Sequence, residues 1–281
     1  MRQDRFLRRV SLALIAPAIL AVGLLFLVPL GRLVAVSLNA PELTFANYGI
    51  AIGPSGFLSV MLVTLRVTLI VTLSCACLGF PIAYLMVRAG GVTKTVIGLL
   101  VILPFWTSIL VRNYAWIYLL QRRGTVNNLL VSLGWIDQPL NLIYNEFAVV
   151  LAMTNALLPF MVLPIYVALQ SQDSSYLEAA HTLGAGPAAA FADITLPLAY
   201  QGIVAGSLIV FATGLGFYVT PALLGGGKVL TAATFVTQQI EVTLNWPLAA
   251  AAALILFGCV VALMGAYARI VGINRLSGIE G

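Results

Sequence analysis

Six stretches of this chain, 12–36, 57–87, 95–120, 147–169, 198–221 and 246–270, are long and almost wholly apolar. A helix needs roughly 20 apolar residues to cross the hydrocarbon core of a bilayer. No water is available there to backbone N–H and C=O groups, so only helices or closed barrels can span it. The runs are continuous rather than alternating with period two, which selects helix over barrel strand. Composition agrees: 61% of residues are hydrophobic and 8% are charged, against about 45–50% and about 25% in soluble domains. The chain is predicted to be an all-α integral membrane protein with six transmembrane helices and a single domain, 1–281.

An even number of spans puts both termini on one side. With the N-terminus inside, the inner side carries Arg2, Arg5, Arg8, Arg9, Arg88, Lys94, Arg269 and Arg275. The outer side carries Arg32, Arg122, Arg123 and Lys228, while Arg66 and Arg112 fall within apolar runs. Eight against four predicts N-in, C-in, with 1–10 and 270–281 cytoplasmic. The loop 171–197 is then cytoplasmic by helix count; it holds Asp173, Glu178 and Asp193 and no Lys or Arg. The first run is longer than the roughly 7–15 apolar residues of a signal peptide and lacks a small-residue cleavage site, so it reads as a retained helix. The net charge of +5 follows from this topology and implies no nucleic-acid partner. Cys75 and Cys77 are two apart and point to different sides of a helix. With Cys259 they form neither a disulfide framework nor a metal clip, and no metal site or catalytic set is read.

Pro17, Pro29, Pro81, Pro104, Pro159 and Pro164 lie within or near the spans. They read either as ordinary kinks or as broken helices around a translocation path. Gly202 and Gly206, and the alanines at 249–253, would allow close helix contact.

The 171–197 loop has its own pattern. Leu177, Ala180 and Leu183 recur at helical spacing, giving a short helix with one apolar stripe. Gly184 and Gly186 can end it, and Pro187 suits the first turn of a second short helix. The loop is predicted to run helix, sharp turn, helix, parallel to the membrane surface. Small residues at Ala179, Ala180, Ala185 and 188–190 leave room for a partner to approach. His181, the lone histidine, reads as a contact residue of that surface.

The pattern Glu-Ala-Ala, three residues, Gly, nine residues, Ile, one residue, Leu-Pro is filled by Glu178, Ala179, Ala180, Gly184, Ile194, Leu196 and Pro197. It resembles the cytoplasmic signature of permease subunits of bacterial ATP-binding-cassette importers. The resemblance implies a type I importer permease fold with a cytoplasmic coupling helix between the fourth and fifth spans. It implies that this helix docks on a cytoplasmic ATPase dimer, that Glu178 makes a polar contact to the ATPase and that Gly184 permits the turn. A second homologous permease (or a second copy), a periplasmic solute-binding protein and membrane lipid are the other implied partners. Gly225-Gly226-Gly227-Lys228 looks like a phosphate loop, but Val229 follows where Ser or Thr is required and Ala222 stands where Gly is required. No cofactor is assigned to this chain; ATP and Mg²⁺ belong on the partner ATPase, and the chain is not itself an enzyme.

Four segments narrow the resemblance to spermidine/putrescine-type permeases of the bacterial inner membrane. They are 103–107 (Leu-Pro-Phe-Trp-Thr), 111–116, Gly124 to Asn127, and 219–226. Trp106, Arg112, Tyr114, Trp116, Phe217 and Tyr218 are the candidate solute-path residues. Trp116 and Tyr118 fit an interfacial aromatic belt equally well. A polycation needs carboxylates or aromatic faces along its path, yet no Asp or Glu lies deep in any span; Asp137, Glu146 and Glu241 lie on the outer side. The polyamine-type resemblance implies acidic residues after Gly216 and Pro221, where this chain has Phe217 and Ala222. The implied cargo is therefore a small organic solute, polyamine-, opine- or amino-acid-derivative-like, and unless the partner subunit supplies the acids a zwitterionic or neutral solute fits better than a polycation. Arg66 can snorkel to the outer headgroups; Arg112 can face the outer cavity mouth or a docked binding protein. An ion-gradient-driven carrier would need carboxylates or polar ion ligands inside the spans, which are lacking, and would leave the 171–197 loop unexplained. A non-transporting scaffold that only recruits an ATPase is the other alternative, and solute-stimulated ATPase activity separates the three.

Overall fold

The computed structural model describes residues 2–39, 41–53, 56–172 and 174–271. Asp173 and the end of the predicted cytoplasmic tail, 272–281, lie outside them, as do the side chains of 2–14, Leu177 and His181. Helices follow in the order α1 (Arg2–Ser37), α2 (Ala46–Ile52), α3 (Phe57–Arg88), α4 (Gly91–Trp106), α5 (Ile109–Leu120) and α6 (Thr125–Ser132). Then come α7 (Glu146–Gln170), α8 (Ser174–Thr182), α9 (Pro187–Ala190), α10 (Leu196–Leu215), α11 (Val219–Leu224), α12 (Ala232–Glu241) and α13 (Trp246–Val271). Among the described residues there is no strand. Among the described residues five helical segments are long and apolar enough to cross a membrane, or six if one bent pair counts as a single span.

That bent pair corrects the third predicted span. The run 95–120 is not one helix: α4 and the helical stretch after it meet at 103°. Pro104 lacks an N–H and cannot continue the helical ladder. Thr107 (ψ 139°) and Ser108 (ψ 134°) are then extended. The Thr107 hydroxyl donates to the Pro104 carbonyl at 2.9 Å, and Arg112 Nη1 donates to the same oxygen at 3.0 Å.

The fifth span also differs from expectation. Helix runs without a break from Pro187 to Leu215, so the second loop helix is the start of the span rather than a separate surface helix. The junction is a π turn, Phe191–Thr195, in which Leu196 N–H donates to the Phe191 carbonyl. Pro197 explains it: its ring would crowd the carbonyl four residues back and offers no donor, and a widened turn absorbs the mismatch. The span ends early, at Gly216, and the chain restarts as α11.

The chain divides into two compact units, 1–58 with 236–257 and 59–235 with 258–281. In the first, α2 is tied to the end of α1: Asn47 Nδ2 donates to the Ser37 carbonyl at 3.1 Å, and Ser37 Oγ and Tyr48 Oη are 2.8 Å apart. The described apolar residues of α1 are almost all exposed, as suits a helix facing lipid or another subunit. Asn145 caps α7 in the second unit, accepting from Ala148 N–H at 2.9 Å. That unit centres on α7, whose Val149, Met153, Leu157, Met161 and Ile165 are fully buried. Small residues set its packing. Gly202 and Gly206 of α10 abut Ile165 and Met161 of α7, and Gly79 of α3 abuts Met161. Thr64 Oγ1 of α3 accepts from Ala232 N–H at 2.7 Å, fixing the start of α12.

Candidate functional site

The loop predicted to dock a partner is folded by two backbone features. Gly184 has φ +83°, the left-handed region where glycine is favoured. Ala185 N–H then reaches back to the Ala180 carbonyl at 2.9 Å and closes the end of α8. The reversal brings distant signature residues together. Ala179, Ile194 and Pro197 line one groove of about 300 Å³ with Tyr176, Asp193 and Leu198. Glu178 beside it is exposed, and its carboxylate has no partner among the described residues. Leu183 is 88% exposed, an apolar side chain left bare at the tip. Leu196 is exposed, while Ala180 and Ile194 are half-buried. The described loop carries the charges of Glu178 and Asp193 and no compensating cation, so the groove fits a partner surface with apolar and basic groups.

Phe191, which sequence reading did not single out, anchors this loop to the membrane helices. Its ring meets Phe80 and Tyr84 of α3 edge-on, at 5.7 Å and 80° and at 5.7 Å and 86°. Phe80 and Tyr84 stack on each other, and the Arg88 guanidinium lies 4.6 Å over the Tyr84 ring. The loop is therefore packed against α3 and continuous with α10. An aromatic residue at the broken turn was the only sequence signal, and its partners lie over a hundred positions away.

The candidate path residues separate into groups. Arg112 is committed to the Pro104 carbonyl, where it neutralises the negative end of α4 and holds the bend. Arg66 pairs with Glu146 at the start of α7, so it has a partner in the protein rather than only lipid headgroups. Tyr114 and Tyr118 are exposed; Trp116 and Phe217 pack against the core, and Tyr218 is 40% exposed. The segments around Arg112 and Phe217 do meet, through a contact sequence reading missed. Thr220 Oγ1 of α11 donates to Asn113 Oδ1 of α5 at 3.0 Å, and both residues are buried. Trp106 stands apart from them, 87% exposed beside Ile102, Phe105 and Leu163. Among the described residues no group of His, Cys, Asp or Glu could hold a metal ion.

Comparison with known proteins places this geometry. The family model described as binding-protein-dependent transport system inner membrane component matches residues 2–272. The spermidine/putrescine transport system permease protein PotB of Salmonella typhimurium (strain SL1344) is 36% identical over 213 residues, 76% of this chain and 74% of that protein. The inner membrane ABC transporter permease protein YdcU of Escherichia coli (strain K12) is 34% identical over 229 residues, 76% of this chain and 72% of its own. A chain of the crystal structure of a bacterial alginate ABC transporter, in complex with alginate pentasaccharide-bound periplasmic protein, superposes with TM-score 0.78 at 16% identity. That match covers 99% of this chain and 98% of the other, and at this identity it speaks for the fold.

Proposed function

The chain belongs to the family of binding-protein-dependent transport system inner membrane components, and from that premise we propose how it moves its cargo. It is a multi-pass inner-membrane permease subunit of an ABC importer for a small solute, of the polyamine type. The groove lined by Ala179, Ile194 and Pro197 carries the rest of the reading. A cytoplasmic ATPase dimer docks there, with Glu178 meeting a basic group and Leu183 entering an apolar recess. ATP and Mg²⁺ bind on those subunits, which perform the hydrolysis. The coupling loop, 171–197, and both chain ends, 1–10 and 270–281, face the cytoplasm. A second permease of the same family, or a second copy, completes the path, and a periplasmic binding protein delivers a small organic solute of the polyamine, opine or amino-acid-derivative class. The periplasmic protein in the complex of the structural neighbour supports that last partner. Closure of the ATPase dimer pushes the loop, and rigid-body motion of the helices alternates access.

The test is reconstitution of the complete importer in vesicles with its ATPase, second permease and binding protein. Spermidine or putrescine should stimulate hydrolysis and accumulate only with ATP. Accumulation without ATP would indicate a gradient-driven carrier, and unstimulated hydrolysis with no uptake of either would indicate a scaffold.

Phe191 gives a finer prediction. Each edge-on aromatic pair contributes about 0.5–1.5 kcal/mol beyond its buried area. Phe191→Ala removes two of them and slackens the link to α3. Solute imported per ATP hydrolysed should fall several-fold, while Phe191→Tyr keeps the ring and stays near wild type. An unchanged ratio in Phe191→Ala would show that α3 is not driven through this ring.

A further inference from the structure

Asn155 is a polar residue of a membrane-spanning helix that no hydrogen bond among the described residues satisfies. It lies nine residues into α7, about 13 Å along the helix axis at 1.5 Å per residue, near the middle of a hydrocarbon core about 30 Å thick. Its side chain is half-buried and makes no hydrogen bond among the described residues. An amide left bare in hydrocarbon costs several kcal/mol, so a lipid chain is a poor neighbour for it.

Asn155 lines a hollow of about 240 Å³ with Ile82 of α3, Leu100 and Pro104 of α4, and Leu158 and Pro159 of α7. Both prolines stand four residues after another lining residue, Leu100 before Pro104 and Asn155 before Pro159. A proline has no N–H, so the carbonyls of Leu100 and Asn155 lack their usual helical donors. The two helices thus bring to one apolar hollow the Asn155 amide and two residues whose carbonyls lack a helical donor. No charged residue lines it. Further along the same two helices, Ile102, Phe105, Trp106 and Leu163 form a second hollow, and its exposed indole offers a ring face to a cation.

We propose that the hollow at Asn155 is a solute-contact site of this permease, taking the amine or ammonium end of the cargo on the Asn155 amide and the Leu100 and Asn155 carbonyls. The apolar wall accepts the methylenes. This rests on the importer reading above and deepens it: uncharged oxygens replace the carboxylates that Phe217 and Ala222 do not supply. Neutral acceptors hold a passing cation weakly enough to let it leave, as conduction requires.

The test uses the complete importer in vesicles with spermidine as the probe. Asn155→Leu should lower spermidine uptake about tenfold or more, the loss of one hydrogen bond to a charged group. ATPase stimulation by the loaded binding protein should persist, since docking is untouched. Asn155→Gln, which keeps an amide, should recover a large part of the uptake. Asn155→Leu transporting at the wild-type rate overturns the site. A readout independent of the cargo uses Asn155→Cys in a chain carrying Cys75→Ala, Cys77→Ala and Cys259→Ala. A charged, membrane-impermeant methanethiosulfonate should modify that cysteine during turnover, and spermidine should slow the modification. An unreactive Asn155→Cys means that lipid or the second permease fills the hollow, and the proposal fails. If the wild-type importer takes up no spermidine while Asn155→Cys reacts, the polyamine assignment falls and the water-accessible path at Asn155 stands.

Discussion

Replacing Gly184 by Val is expected to cut ATP-driven uptake roughly tenfold while leaving the amount of protein in the membrane unchanged. The reason is conformational. Gly184 sits at φ +83°, where an L-residue pays about 1–2 kcal/mol and a β-branched one more. A bias of one or two kcal/mol shifts a conformational population by a factor of roughly 5–30. No atom lies within 4 Å of the position a Cβ would take, so the substitution meets no steric obstacle and leaves the core intact. What it disturbs is the reversal that brings Ala179 against Ile194 and Pro197. Gly184→Asn should stay near wild type, because Asn accepts left-handed backbone angles. Glu178→Ala, at an exposed carboxylate, should reach the same uncoupled state by losing the partner contact instead of the turn. The measurement is solute imported per ATP hydrolysed, with protein quantified in the same vesicles. Wild-type uptake by both Gly184→Val and Glu178→Ala would remove the docking role from this loop.

Three of the six predicted spans, 57–87, 147–169 and 246–270, match helices to within a residue at both ends, and the first does so at its C-terminal end, because length and hydropathy suffice where a helix is straight. The two misplacements have a common cause. Pro104 and Pro197 each act on a carbonyl four residues back, and sequence does not say whether the helix bends, widens or stops. At Pro104 the residues that follow, Thr107 and Ser108, go extended and Arg112 closes the corner. At Pro197 a π turn absorbs the strain and the helix continues. The outcome depends on what packs alongside: Phe191 is held by Phe80 and Tyr84, which one chain read locally does not bring to it.

The charged residues show the same limit. Arg66 and Arg112 read as costly cations in apolar sequence, and that much was legible. Their partners were not. Arg66 reaches Glu146 eighty positions on, and Arg112 reaches a backbone oxygen that exists as a free acceptor only because α4 ends there. The approach of Ala179 to Ile194 and Pro197 was legible by contrast, since these residues are close in sequence and the turn between them is written as Gly184. The hollow at Asn155 was not, because it takes two prolines on different helices to make one asparagine conspicuous.

Gly202→Ala should remove most of the folded protein from the membrane, a larger effect on the chain itself than any loop variant. A Cβ at 202 would stand 2.6 Å from the Pro164 carbonyl oxygen, 2.7 Å from Ala168 Cβ and 2.8 Å from Ile165 Cα. Two of those three atoms are backbone, so no rotamer change relieves them. α10 must lift away from α7, which loosens the neighbouring Gly206 crossing over Met161 as well. Overpacking of this kind costs about 1–3 kcal/mol, and a loss of 1–2 kcal/mol changes cellular abundance several-fold. Adding Ala168→Gly to Gly202→Ala should not restore the protein, because the Pro164 oxygen and Ile165 Cα remain in place. Gly258→Ala on α13, where nothing lies within 4 Å, should leave abundance unchanged. Quantifying membrane-inserted protein and its thermal unfolding in detergent for these variants separates close packing from a general dislike of added methyls. Equal losses at Gly202 and Gly258 would sink the packing argument. Rescue by Ala168→Gly would mean that the helices yield more readily at this crossing than backbone contact allows, and the proposed lever from the 171–197 loop to α10 would then lack a fixed point on α7.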